Sequence, residues 1–249
     1  MSDERPIATP LPAASILLVR DGERSLEVLM MERAKTMRFA PGAFVFPGGK
    51  IDTSDGDVDV WADLTNGDAG AEDAAFRIGV LRELYEEAAV LLTVEANSLD
   101  PDLEFSAALT AEGACLNVAD IVPFAHWVTP EPLPRRFDTH FYIAAHNGQE
   151  AKHDGVEAVS LRWVCPKVLL ADWDNDRVPL MFPTRLNLMK LARAETVAEA
   201  LKQARESVVV RTLPVVAQGS KGVKLTIDAA SGYGVTTATS KELKVETPK

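Results

Sequence analysis

Residues 44–92 read "FVFPGGKIDTSDGDVDVWADLTNGDAGAEDAAFRIGVLRELYEEAAVLL" and contain the most informative pattern of the chain. A short apolar run ends in Pro47 and a glycine pair, and an Asp-rich segment follows it. From Ala74 onward, apolar residues recur at helical spacing, with Arg82 and three glutamates on another face. The pattern predicts a strand, a loop and an amphipathic helix in that order.

The three glutamates of this helix are close in sequence. Glu83 lies one helical turn from both Glu86 and Glu87, so the three carboxylates can converge on one patch. Like charges at this spacing oppose the helix by about 0.2–0.5 kcal/mol per pair. A hard divalent cation such as Mg²⁺ or Mn²⁺ would compensate, because it prefers oxygen ligands. Taken alone, the carboxylates favour the simpler interpretation, a solvated acidic helix face.

The glycine pair, Gly48 and Gly49, favours the interpretation of the three glutamates as a metal site. Glycines that close a strand let the backbone approach a ligand closely and can aim a carbonyl at a metal. Upstream of the pair, the sequence predicts two strands at 13–20 and 26–33, joined by a hairpin turn at Asp21, and a third strand at 43–47.

Downstream of the helix, alternating segments and start signals predict the remaining elements. Between the glycine pair and the helix, residues 52–73 hold seven Asp and one Glu, and we expect a solvated loop there. Pro183 and Thr196 each mark a helix start, Thr196 with Glu199 at capping-box spacing. The predicted strands lie at 121–130, 135–146 and 158–166, and short β-prone runs follow residue 207.

Composition limits the function. The chain has 249 residues, 47% of them hydrophobic, which is enough for one sizeable core. Its longest apolar runs are too short to span a membrane, and no secretory signal is visible at the start. Two cysteines without metal-type spacing fit a reducing cytoplasm. The net charge of −11 disfavours a nucleic-acid polymer but not a small anionic ligand. The four histidines are too scattered to predict a zinc site from local spacing.

The run from Arg82 to Glu87 resembles the box of the Nudix hydrolases, G-x5-E-x7-R-E-U-x-E-E-x-G-U, where U is a bulky aliphatic residue. Here "RELYEE" matches R-E-U-x-E-E at every position, and "FPGGK" looks like the start of the box. The resemblance extends over about residues 10–195, which we expect to form the Nudix domain, with 196–249 as a C-terminal helix and extension.

Two features depart from the family pattern. An acidic insertion, expected to be a loop at 53–72, lengthens the box, so its first glutamate corresponds either to Asp55 or to Ala74. The family's late glycine is Ala89 here, so we expect the helix to run on through Leu91 rather than turn into a left-handed exit.

The resemblance implies an α/β fold, a Nudix-type α/β/α sandwich with a mixed β-sheet, and hydrolysis of a diphosphate linked to another moiety. It implies Mg²⁺ or Mn²⁺ as cofactor and a small-molecule diphosphate as partner, with no nucleic-acid polymer and no membrane, and leaves a homodimer open. The implied roles are Glu86 and Glu87 as principal metal ligands, Glu83 as ligand or base, the Gly48 carbonyl as a further ligand, Arg82 as the group that orients the carboxylates, and Glu157 as a candidate extra carboxylate from a distant loop.

The residues before the box point to a substrate. The stretch "LMMERAKTMRFAPGAFVFPGG", residues 29–49, resembles L-L-T-x-R-S-x3-R-x3-G-x3-F-P-G-G, which is found in a subgroup that acts on coenzyme A (CoA). This resemblance implies substrate binding by Arg33, Arg38 and Gly49, whereas surface arginines are the alternative. Met31 and Ala34 depart from the motif. CoA or acyl-CoA is the expected substrate. The rivals are ADP-ribose or a dinucleotide cofactor, and a non-catalytic nucleotide-binding module.

Overall fold

The computed structural model describes residues 6–34, 36, 41–94, 98–153, 155, 158–219 and 222–239. Two short 3-10 helices lie at Thr53–Gly56 and Ala229–Ser231. The other elements, in chain order, are β1 Leu11–Asp21, β2 Leu26–Arg33, β3 Phe44–Val45, β4 Gly48–Lys50, α1 Val58–Trp61, α2 Ala74–Ala88, α3 Phe105–Glu112, β5 Val122–Val128, β6 Phe137–Ala145, β7 Ala158–Val164, α4 Pro166–Asp174, α5 Phe182–Leu191, α6 Val197–Glu206, β8 Arg211–Thr212, β9 Val215–Gly219, β10 Gly222–Thr226 and β11 Thr237–Thr239.

The central sheet contains eight strands. Its main path runs β3-β2-β1-β6-β5-β8, with β4 paired to β1 and β7 paired to β2. β1 is parallel to β6 and β5 is parallel to β8, whereas the other pairs are antiparallel. The mixed β-sheet predicted from the family resemblance is therefore confirmed.

Helices cover both faces of this sheet. Successive residues of a strand point to opposite faces, and along β1 Leu17 and Val19 join one core whereas Ile16 and Leu18 join the other. The first core also holds side chains of α4, α5 and α6, and the second holds those of α2 and α3. The chain is thus an α/β/α sandwich, as predicted.

The expectation of a solvated loop at 53–72 is wrong for the first part of that segment. A 3-10 helix and α1 form there, with the Asp57 carboxylate accepting a bond from the Asp59 backbone at 3.2 Å. Trp61 is buried, and its ring lies tilted against Phe105 at 6.2 Å between centroids. It donates its indole N–H to the Ser54 carbonyl at 2.7 Å. Composition hid this, because one buried indole anchors a segment that is otherwise acidic.

The prediction that α2 runs on through Leu91 is also wrong. The helix ends at Ala88, and Ala89 adopts the left-handed conformation with φ of 53° that we expected a non-glycine residue to avoid. Such a conformation costs roughly 1–2 kcal/mol for an L-residue. Burial of Val90 and Leu91 directly after the turn offsets that cost, and the Gln149 side chain accepts a bond from the Leu91 backbone at 2.8 Å.

The C-terminal part packs onto the same sheet. Thr196 caps α6 by accepting a bond from the Glu199 backbone at 3.2 Å, which confirms the predicted helix start. Tyr233 accepts a bond from Trp127 at 2.7 Å inside the first core, and β9, β10 and β11 form a separate three-stranded sheet. The proposed boundary at residue 195 stays a prediction. Among the described helices, none combines the length and apolar character that crossing a membrane would need.

Candidate active site

The glycine pair lies in β4, and α2 passes across it. The backbone N–H of Gly48 donates to Glu87 Oε2 at 2.7 Å, and Glu87 is almost fully buried. Gly48 has φ of 143°, and a Cβ there would lie 2.2 Å from the Ala14 carbonyl oxygen. Both the dihedral and the close approach require glycine. The glycine pair follows the predicted third strand and itself forms a short strand, β4, which pairs antiparallel with β1.

Gly49 makes room for a second carboxylate. A Cβ at Gly49 would lie 2.5 Å from the carboxyl carbon and from both oxygens of Glu83. The Glu83 carboxylate thus rests against the backbone of β4, at the place where a side chain would otherwise stand. We call Glu83, Glu86 and Glu87 the glutamate patch.

Arg82 connects this patch to the insertion. Its guanidinium donates Nε to Asp55 Oδ1 and Nη2 to Asp55 Oδ2, each at 3.0 Å, and Asp55 is 1% exposed. Burial disfavours the charged guanidinium, but the bond to Asp55 and its charge outweigh it, so the pKa of Arg82 is raised. Of the two positions that the sequence left open for the first box carboxylate, Asp55 is therefore the one in contact with Arg82, and Ala74 lies at the start of α2.

The same guanidinium contacts two members of the glutamate patch. Arg82 Nη1 donates to Glu83 Oε1 at 3.2 Å and to Glu86 Oε2 at 3.0 Å. Burial raises the pKa of Glu83 to about 7 against the opposing charge of Arg82, and burial likewise raises the pKa of Glu86. Carboxylates whose charged forms are penalised by burial suit a site that receives a cation. The all-oxygen donor set also suits Mg²⁺ or Mn²⁺.

Of the remaining predicted site residues, the structure describes Arg33. Arg33 ends β2, where its backbone N–H donates to the Ala43 carbonyl at 3.0 Å. Arg38 and Glu157 lie outside the described residues, so their predicted roles stay predictions.

An apolar cavity opens beside the glycine pair, on the opposite face of the sheet from α2. It has a volume of about 260 Å³, and Ser15, the register partner of Gly48, lines it. The other lining residues that matter here are aromatic or apolar: Phe46, Trp127, Phe141, Met181 and Phe182. Sequence patterns did not predict this cavity, because its walls come from seven separate segments of the chain.

The local spacing of the histidines did not predict a second cluster of polar residues. His126 on β5 stands directly opposite His140 on β6, and Asp138 lies two residues before His140 on the same face. One ligand atom from each of the three lies within 4.8 Å of the other two, and within the described ranges this is the only trio of His, Cys, Asp or Glu that meets that criterion. We call these three residues the histidine cluster. Burial lowers the pKa of His140 to about 4, with a further contribution from His126.

Comparisons with known proteins agree with this geometry. The family model described as the NUDIX domain matches residues 9–182. An acyl-coenzyme A diphosphatase of Xenopus laevis is 26% identical over 83% of this chain and 71% of its own length. A Caenorhabditis elegans protein classed with the nudix hydrolases is 30% identical over 74% of this chain, which spans only 61% of that relative. The crystal structure of a NUDIX hydrolase from Alicyclobacillus acidocaldarius superposes with a TM-score of 0.67 at 26% identity, covering 79% of this chain and 97% of that one.

Proposed function

This chain belongs to the Nudix family and is a diphosphohydrolase of that family, and we propose that it cleaves the diphosphate of CoA or an acyl-CoA with the help of a divalent cation. The observation that carries the proposal is the glutamate patch, which α2 holds against Gly48 and Gly49. The bidentate contact between Arg82 and Asp55 fixes that helix against the insertion.

The glutamate patch would hold the cation. Glu86 and Glu87 are the proposed principal ligands, with the Gly48 carbonyl as a further donor, and their oxygens match the preference of Mg²⁺ or Mn²⁺. When bound, such a cation neutralises diphosphate oxygens and makes a nearby water more acidic.

The remaining residues of the site accept a proton or orient the carboxylates. Glu83, with a pKa of about 7, is suited to accept a proton from the attacking water at neutral pH. Arg82 holds the Glu83 and Glu86 carboxylates in place through its Nη1 atom. Gly49 leaves the space in which Glu83 lies.

Two observations favour CoA over other diphosphates. The relative from Xenopus laevis is an acyl-coenzyme A diphosphatase by name, and its similarity covers most of this chain. The apolar cavity next to Gly48 offers a place for a pantetheine or acyl arm, which ADP-ribose lacks. Arg33 and Arg38 are the proposed cations for the 3′-phosphate of CoA, because a guanidinium can hold a phosphate through two parallel bonds.

The test is a panel of diphosphates measured on one preparation with Mg²⁺ or Mn²⁺. We expect CoA to give 3′,5′-ADP and 4′-phosphopantetheine, with a higher kcat/KM than dephospho-CoA, ADP-ribose or NADH. In the Arg38→Ala variant, KM for CoA should rise far more than KM for dephospho-CoA. Met181→Trp, which fills the apolar cavity, should raise KM for acyl-CoA and leave ADP-ribose unchanged.

Two outcomes would contradict the substrate assignment. A preference for ADP-ribose or NADH would favour the rival substrates, and equal treatment of CoA and dephospho-CoA with no effect of Arg38 would leave only a general diphosphohydrolase. Absence of hydrolysis across the panel, with nucleotide binding retained, would instead favour a binding module.

A further inference from the structure

The histidine cluster combines residues from two paired strands. In the register of β5 and β6, His126 opposes His140, and the ring centroids lie 4.1 Å apart. The His126 ring nitrogen Nε2 forms a hydrogen bond with Asp138 Oδ1. Phe76 of α2 stacks on His140 at 4.0 Å, which limits the rotation of that imidazole. The cluster is therefore preformed rather than assembled from flexible side chains.

We propose that His126, Asp138 and His140 form a second metal site, which binds Zn²⁺ through two imidazole nitrogens and one carboxylate oxygen. Three protein ligands of this kind, with water in a fourth position, are a common zinc arrangement. Nitrogen ligands favour Zn²⁺ over Mg²⁺, and zinc stands near the top of the affinity order of the divalent first-row metals.

The geometry requires only small side-chain movements. In a tetrahedral site with Zn–N bonds near 2.0–2.1 Å, ligand atoms lie about 3.3 Å apart, and here all three already lie within 4.8 Å. Zinc would take the place of the hydrogen atom between His126 Nε2 and Asp138 Oδ1, and that hydrogen would leave to water as a proton. The side chains of His126 and Asp138 are 16% and 28% exposed, so an ion and a water can reach them.

One neighbouring cation must be accommodated. Arg211 of β8 lies 3.4 Å from Asp138 Oδ2, and its charge opposes a second cation. The guanidinium contacts Oδ2 and leaves Oδ1 to the metal, so it orients the carboxylate in the way that groups behind metal ligands commonly do. On the same face, Tyr142 contacts two charged side chains, Asp73 just before α2 and Arg77 within α2.

This site is separate from the glutamate patch. The register places Gly49, Ala14, His140 and His126 in one row across β4, β1, β6 and β5. With strands about 4.8 Å apart, His140 lies about 10 Å and His126 about 14 Å from Gly49. Zinc here would tie β5 to β6 beside the C-terminal strand β8 and would not take part in hydrolysis.

The experiment is a zinc titration of the chelator-treated full chain against a chromophoric chelator. The Glu86→Gln/Glu87→Gln variant, in which the glutamate patch is weakened, should retain one tight equivalent of Zn²⁺. The His126→Gln/His140→Gln variant should bind at least about 10–100-fold more weakly, which is the loss that follows removal of even a group behind a metal ligand. His146→Gln/His153→Gln is the matched control and should bind as the wild type does. Equal zinc binding by the two histidine variants would overturn the proposal.

A measurement on the wild type keeps the test independent of the variants' folding. Co²⁺ in the histidine cluster should give the strong visible bands of a four-coordinate ion with nitrogen ligands, and Zn²⁺ should abolish them. A Co²⁺ spectrum that shows weak bands alone, as from a six-coordinate, all-oxygen site, would contradict the assignment. Circular dichroism of each metal-free variant identifies any that fails to fold.

Discussion

The glutamate patch and the histidine cluster lie on the same face of one sheet, yet they differ in their ligand atoms and in the elements that carry them. The patch offers only oxygens and sits on the C-terminal half of α2, against two glycines of β4. The cluster offers two nitrogens and one carboxylate, from strands β5 and β6. If the two proposed sites bind as expected, the type of ligand atom, rather than the number of acidic groups, decides which cation each one selects.

The two regions also differ in how they are stabilised. At the glutamate patch, one buried guanidinium, that of Arg82, pairs with Asp55 and also contacts Glu83 and Glu86. The histidine cluster is held by strand register and by the stacking of Phe76 on His140. Substitutions should therefore affect catalysis and folding at the first region, and metal binding at the second.

The largest effect is expected for Glu86→Gln. It removes one charge from the patch while keeping the size of the side chain, so kcat on the best substrate of the panel should fall by roughly 10²–10⁴. The matched control, Glu112→Gln on the exposed end of α3, should leave kcat unchanged. Near-normal turnover of Glu86→Gln in Mg²⁺ would remove this residue from the site.

Asp55→Asn tests the ion pair. Loss of the buried Asp55 charge leaves the Arg82 guanidinium paired only with more exposed carboxylates, such as those of Glu83 and Glu86. Removal of a buried ion-pair partner costs up to about 3–5 kcal/mol in the free energy of unfolding. The exposed neighbours Asp57 and Asp59 supply the controls, and their Asn variants should change both stability and kcat far less. Urea denaturation at neutral pH measures the difference. Similar stability of all three variants would show that the insertion contributes nothing to holding α2.

Gly49→Ala asks whether the position of Glu83 matters. The added Cβ would meet the Glu83 carboxylate at 2.5 Å, and because that group ends a flexible side chain it can move aside without unfolding the protein. A displacement near 1 Å should lower kcat by about 10². Gly56→Ala, whose Cβ meets Ala75 at an ordinary 3.7 Å, is the control. Equal kcat for the two variants would speak against a role for the close approach.

The smallest effect is expected at the end of the helix that carries the glutamates. Ala89→Gly relieves a left-handed conformation that costs roughly 1–2 kcal/mol but adds about 0.5–1 kcal/mol of chain entropy loss. The variant should unfold at a slightly higher temperature, whereas Ala88→Gly, inside the helix, should unfold at a lower one. A lower midpoint for Ala89→Gly would mean that the turn is not strained.

Much of the glutamate patch could be predicted because its information is local. Glu83, Glu86 and Glu87 fall within two helical turns, and helical periodicity alone places them together. The hairpin of β1 and β2 and the start of α6 at Thr196 were equally local signals. The sandwich fold came from the family resemblance, and the family model confirms the membership.

What the sequence did not reveal depends on long-range packing. His126 and His140 meet because β5 and β6 pair in a register that places them opposite each other, and no local spacing rule contains that register. The left-handed turn at Ala89 is tolerated because the residues after it are buried. Local propensity cannot anticipate a cost that tertiary packing offsets.

The same limit applies to the insertion. Its acidic composition correctly predicted an exposed character for most of its residues, but not the burial of Asp55 and Trp61. The partner of Asp55, Arg82, follows 27 residues later in the chain. Only the folded structure brings the two together.

The most direct test of the account is the turnover of CoA by the chelator-treated full chain as Mg²⁺ is added back. The wild type and His126→Gln/His140→Gln should recover along the same curve, because the histidine cluster takes no part in hydrolysis. Glu87→Gln should stay at least about 10²-fold lower at saturating Mg²⁺, because Glu87 is a proposed ligand held by Gly48. Full recovery by Glu87→Gln, together with failure of the histidine variant, would contradict the assignment of catalysis to the glutamate patch.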